Sequence, residues 1–175
     1  MATDLTDFIG QINLSTQLTA SSDAVLGVPN DALNYQYIKT IDFGTGDDQA
    51  DQMYYENNTT TEADVTYDLY GGLTNHFGET INFATIKGII LRNNSDINSI
   101  ALGPATADEA LLWFPDNSAY EVIPPGGISI HIAPNDGWVI VDGSDSITVE
   151  ALTAFSGLEP DEAGDYDLII WGTSD

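Results

Sequence analysis

Apolar residues in this chain recur at alternate positions, and no segment holds a 3.6-residue apolar spacing for more than two turns. Val65, Tyr67 and Leu69 alternate with Thr66 and Asp68; Ile128, Ile130 and Ile132 alternate with Ser129 and His131; Ile147, Val149 and Ala151 repeat the pattern. Side chains two apart share one face of a strand, so each run describes a sheet with an apolar side and a wet side. Between the runs stand Gly71-Gly72, Pro124-Pro125-Gly126-Gly127, Asn135-Asp136-Gly137 and Asp142-Gly143-Ser144-Asp145, all turn chemistry. Roughly ten strands at this spacing predict an all-β fold, an antiparallel β-sandwich of jelly-roll-like form.

Residues 1–34 are read as an N-terminal arm or peripheral element and 35–175 as one sandwich domain. In the arm, Asp4 to Gly10 suits one helical turn, and Ile12, Leu14 and Leu18 suit a short extended segment. The densest apolar run, Phe77 to Asn93, predicts a central strand buried on much of both faces. Further strands are expected over Tyr35–Phe43, Met53–Tyr55, Ser99–Gly103, Ala110–Phe114, Tyr120–Ile123, Trp138–Val141 and Tyr166–Trp171. Asp142 to Asp145 reads as a hairpin turn, and Phe155 to Asp165 as an acidic loop.

Charge narrows the function classes. Against 28 Asp and Glu the chain sets 3 Lys and Arg, a formal charge of -25. Phosphate backbones and anionic membranes need clustered cations, so neither nucleic acid nor membrane is an expected partner. Self-repulsion on this scale is tolerated where salt screens it, which suits a hypersaline habitat; docking on a basic partner is the other explanation. Without cysteine there is no disulfide framework and no thiolate metal site.

Asp47, Asp48 and Asp51 lie in a Gly-flanked loop that can offer oxygens to Ca2+, Mg2+ or Na+/K+, although the spacing is not that of an EF-hand. A solvated acidic loop explains the same residues, and no cofactor is expected. Lys87 and Arg92, two of the three cations, fall on the central stretch, where they are expected to pair with carboxylates at the sheet surface or across a subunit contact. Trp113, Trp138 and Trp171 sit inside apolar runs and are read as core or interface residues rather than as sugar platforms. His131 alternates with isoleucines and is read as an outward strand position. There is no Gly-x-Ser-x-Gly elbow and no Cys–His pair, so no catalytic residue is assigned and an enzyme is not expected.

Asp42-Phe43-Gly44-Thr45-Gly46 with Asp48-Gln49-Ala50-Asp51 resembles the "DGTGANQAD" region of a family of small tailed-phage virion proteins. Asp68 to Thr74, Phe77 to Lys87, Pro124 to Gly127 and Tyr166 to Ile170 are similar to later blocks of that family. The resemblance implies a non-enzymatic structural component of a tailed virus of a bacterium or archaeon, such as a capsid decoration or turret protein on the head. Its expected partners are further copies of itself, as a trimer or pentamer, and other virion proteins such as the major capsid protein. A carbohydrate-binding module on the tail or its tip is the alternative, and a cation-dependent glycosidase a third.

Overall fold

A computed structural model describes residues 10–19, 32–60, 64–104, 107–152 and 164–174. The described residues form strands and turns with no helix, as the alternation requires. The helical turn expected over Asp4–Gly10 and the loop expected over Phe155–Asp165 lie mostly outside them.

Eight strands make the sandwich. β4 (Gln52–Thr60), β8 (Thr85–Asn93), β11 (Ile128–Ile132) and β14 (Gly164–Thr173) form one sheet in the order β11-β8-β14-β4, with β12 (Trp138–Val139) added beside the first part of β8. β5 (Val65–Asp68), β9 (Ser99–Pro104), β10 (Glu121–Ile123) and β13 (Ser146–Leu152) form the other in the order β10-β9-β13-β5. Every pairing within both sheets is antiparallel. The inward residues of the two sheets meet in one core, with Phe83, Ile89, Leu91, Ile100, Leu102, Ile147, Leu168 and Ile170 all at 1% exposure or less. Removing that apolar surface from water supplies the main driving force for folding.

Three expected elements come out differently. The stretch Phe77–Asn93 is two strands, because β7 (Thr80–Asn82) pairs with β6 (Tyr70–Thr74) in a small sheet of its own before the chain turns into β8. β8 itself is buried on both faces through Ile86–Ile89, as expected. Ala110–Phe114 is a turn rather than a strand: Leu112 takes a positive φ of 48° and Phe114 N donates to Leu111 O. Asp142–Asp145 does form a tight turn, but the strands on either side belong to different sheets, so it is no hairpin.

Polar groups close the two open edges of the sandwich. Near edge strands β4 and β5, the hydroxyl of Tyr67 on β5 lies 2.5 Å from that of Tyr166 on the adjoining strand β14, while Tyr54 of β4 donates to Glu56 Oε2 at 2.9 Å. Tyr166 is fully buried, and burial pushes its hydroxyl up to about 12; burial raises Tyr67 and Tyr54 further. Between β10 and β11, Glu121 accepts from Ser129 Oγ at 2.9 Å and lies 2.6 Å from His131 Nε2. Trp113 stacks on the His131 ring at 3.8 Å and 14°. His131 therefore turns toward the opposite sheet and not outward, the reverse of the pleat expected from its isoleucine neighbours. Ser129, on the same side of the strand, is buried, while Ile128 is 56% exposed.

β1 (Gly10–Thr19) and β2 (Ala32–Phe43) pair antiparallel from Gly10–Ile41 to Thr19–Ala32. β2 gains a third strand only at its end, where Asp42 and Phe43 lie parallel to Gln49 and Ala50 of β3 (Gln49–Ala50). Up to Ile41 the pair is a two-stranded ribbon, a form only marginally stable by itself in water.

Candidate interaction surface

The outer side of the β11-β8-β14-β4 sheet is where the sequence places an unusual amount of apolar surface. Cross-strand register lines up Tyr55, Ile169, Ile90 and Ile130 in one continuous row across all four strands. The row before it is Met53, Trp171, Gly88 and Ile132; the row after it is Asn57, Asp167, Arg92 and Ile128. Alternation alone would leave this side polar. Apolar residues on both faces of a strand mean that both faces are meant to be covered.

Part of the cover is supplied by the chain itself. Ile41 and Ala50, at 1% and 0% exposure, pack with buried Trp171 against Ile90, Ile132 and Ile169. The segment between them is held by Asp48 N donating to Pro134 O just beyond β11 at 2.8 Å, and the residue after it by Asp51 N donating to Gly172 O of β14 at 3.1 Å. Within it, Gly46 N donates to Gln49 Oε1 at 2.9 Å. Gly44 has φ +141°, a backbone region that favours glycine, and the Gln49 side-chain amide lies beside its Cα. The Gly-Thr-Gly block is thus a latch over the sheet.

Beneath the latch, the indole of Trp171 lies against Gly88, where a Cβ would fall 1.9 Å from its Cζ2. Trp171 faces Gly88 and Gly172 faces Ile86, so Lys87 is the extra residue of a β-bulge. Lys87 is covered rather than displayed on the sheet surface: it is 4% exposed and its ammonium donates to Asn135 O in the turn after β11. Arg92 does reach the surface, opposite Asp167. Hydrogen bonds from Asn94 and Asn57, then Tyr55, hold the Asp167 carboxyl below its ordinary range, with Arg92 adding to the effect.

The loop acids divide among different jobs. Asp51 accepts from Ser174 N at 2.7 Å and from its hydroxyl, which fastens the chain just beyond β14. Asp47 is exposed, and Asp48 turns the backbone with φ 57°. No group of three His, Asp or Glu side chains arranged to hold a metal ion occurs among the described residues. Trp113 and Trp138 lie 5.2 Å apart and half-buried against the core at the β10/β11 edge, away from Trp171. The residues chosen from the sequence as one interface set are therefore separated, and the row Tyr55–Ile169–Ile90–Ile130 was missed. Its signal was present in the unbroken runs Ile89-Ile90-Leu91 and Leu168-Ile169-Ile170, which leave no polar face.

What the latch leaves open is bordered by Met53, Tyr55 and Ile128, exposed by 41%, 39% and 56%. Phe43, at the root of the ribbon, is 45% exposed. An apolar strip with the polar rim Asn57, Asp167 and Arg92 has the anatomy of a protein–protein contact. The chain matches no protein-family model, no curated protein and no solved structure.

Proposed function

We propose that this chain is a structural component of a tailed virus particle, a capsid decoration protein that self-associates and sits on the shell through non-enzymatic contacts. The observation that carries this reading is the apolar row on the outer sheet face beside the root of the β1–β2 ribbon. A half-latched sheet face and a ribbon of marginal stability both gain from the same kind of event, burial against a neighbour. A closed ring of copies would cover such a strip without leaving it open to aggregation.

The strand order supports reading the sandwich as a jelly roll. Counting only its eight strands in chain order, one sheet runs 1-8-3-6 and the other 2-7-4-5, so that the chain winds between the sheets as two interlocked Greek keys. That architecture recurs in viral shells and in lectin domains, so it is compatible with the proposal and does not by itself select it. The charge of -25 then serves solubility in concentrated salt and repels nonspecific association between particles.

Antibody against the purified protein, applied to intact tailed particles that carry it and viewed by electron microscopy, tests the assignment. Regular labelling over the head is expected. Labelling confined to the tail tip would move the protein to host recognition, and absence from particles would overturn the proposal.

A further inference from the structure

On the opposite side of the molecule, the outer face of the β10-β9-β13-β5 sheet carries a groove of about 180 Å3. Its floor is made of short side chains, since Ala101, Gly103, Thr66 and Thr148 occupy neighbouring strands there. Its wall is the segment Asn117–Tyr120, which packs so closely over β9 that a Cβ on Gly103 would lie 3.1 Å from Ala119 O. Tyr120 lines the groove with its side chain 59% exposed.

Two carboxyls meet in this groove. Val65 pairs with Val149, which sets Asp64 and Glu150 against each other at the end of adjacent strands. Like charges directly opposed on one sheet face are destabilising, and no cation of the described residues lines the groove. Burial, then Asp64 beside it and a hydrogen bond between the two, raises Glu150 above the ordinary carboxyl range. Side by side on one sheet face of the groove, both carboxyls can accept hydrogen bonds from a ligand.

We infer that this groove is a binding site for a neutral saccharide with vicinal hydroxyls. Adjacent sugar hydroxyls donate to Asp64 and Glu150, the threonine hydroxyls and the Asn117 amide extend the polar floor, and the exposed Tyr120 ring offers an apolar face to the pyranose. Bound hydroxyl donors would offset the repulsion between the two carboxylates. Acidic sugars are excluded by the same carboxylates and by the charge of the whole chain. The site stands on the opposite face from the proposed subunit contact, so its fate is independent of the particle assignment.

Titration of the full chain at pH 7.5 with mannobiose, lactose and maltotriose, followed by 1H–15N NMR shifts, tests it. Binding of at least one sugar is expected, with shifts at Thr66, Gly103 and Thr148. Glu150→Gln and Tyr120→Ala should each weaken it about tenfold or more, while Arg92→Ala on the other face leaves it unchanged. Unaltered amide spectra outside the groove establish that the variants are folded. No shift with any of the three sugars at 50 mM as an upper limit of about millimolar-class affinity, or equal binding by Glu150→Gln, overturns the inference. Shifts produced by calcium alone, without any by sugar, overturn it as well.

Discussion

Gly88→Ala is expected to be among the most damaging one-carbon changes in the sandwich, costing about 3 kcal/mol or more. The added methyl would stand 1.9 Å from the Trp171 ring, which is buried between the sheet and the latch and has little room to move. For a chain of this size the loss corresponds to a fall in Tm of roughly 6–12 °C. Trp171→Ala should cost about 3–5 kcal/mol by itself, because it empties the space under Ile41 and Ala50. The diagnostic result is the double variant. Once the indole is gone the methyl has space, so Gly88→Ala should then cost less than about 1 kcal/mol, since alanine is the better strand residue. Additive losses, measured by denaturant unfolding, would mean that glycine is needed here for its backbone and not for the indole.

Alkali is expected to unfold the protein between pH 10 and about 12, through the tyrosines that close the β4/β5 edge. Tyr54, Tyr67 and Tyr166 ionise near 10 in the unfolded chain and higher in the fold, burial being the first cause for each. A group whose folded value is raised contributes stability that is complete below its unfolded value, here 10, and is lost as pH climbs toward the folded value. For Tyr166 alone, moving from 10 to about 12 corresponds to about 2.7 kcal/mol at about 1.36 kcal/mol per pH unit. Phenolate absorbance from Tyr54, Tyr67 and Tyr166 should therefore appear abruptly, together with loss of the far-ultraviolet β signal. Smooth titration of all eight tyrosines with the fold intact would show that this edge is open to hydroxide.

Much of the fold is legible in the sequence because it depends on local chemistry. Val65–Leu69 and Ile147–Ala151 alternate and become β5 and β13, while Gly-rich and Pro-rich punctuation ends strands where it should. The errors arise where distant residues decide. Phe83 and Ala84 look like the middle of one long strand, yet Phe83 N donates to Leu69 O and Ala84 N to Thr173 O, which draws the chain away from β7 and into β8. Ala110–Phe114 is apolar because Ala110 and Phe114 are pinned into the core, not because it is extended. His131 was assigned to the wrong face since the three isoleucines around it looked like the core side. Only the latch, drawn from residues 41–50, makes their side partly dry.

The candidate surfaces were less legible for the same reason. Trp171 was singled out, but its partner is a glycine, Gly88, and a missing side chain carries no signal of what fills its place. Asp64 and Glu150 lie far apart in sequence among many acids, and nothing local distinguishes them. What could have pointed to them is register: Glu150 sits on the polar side of β13 and Asp64 immediately before β5, and pairing the two strands through Val149 and Val65 brings them together. Lys87 was expected to pair with a carboxylate at the sheet surface or across a subunit contact; it sits at a one-residue bulge, invisible locally, and is covered there with its ammonium on Asn135 O.

The proposed assembly is tested most directly by the mass in solution, from light scattering in 0.05 M and 3 M salt as about the two screening extremes. A single closed species, trimer or pentamer, is predicted at high salt, with dissociation at low salt as repulsion between chains of charge -25 regains its range. Tyr55→Glu and Ile128→Glu, at positions already exposed by more than a third, should leave the fold intact and the protein monomeric in both conditions. Wild-type protein that stays monomeric at every salt concentration, or an oligomer indifferent to both substitutions, would contradict assembly through the outer face of the β11-β8-β14-β4 sheet.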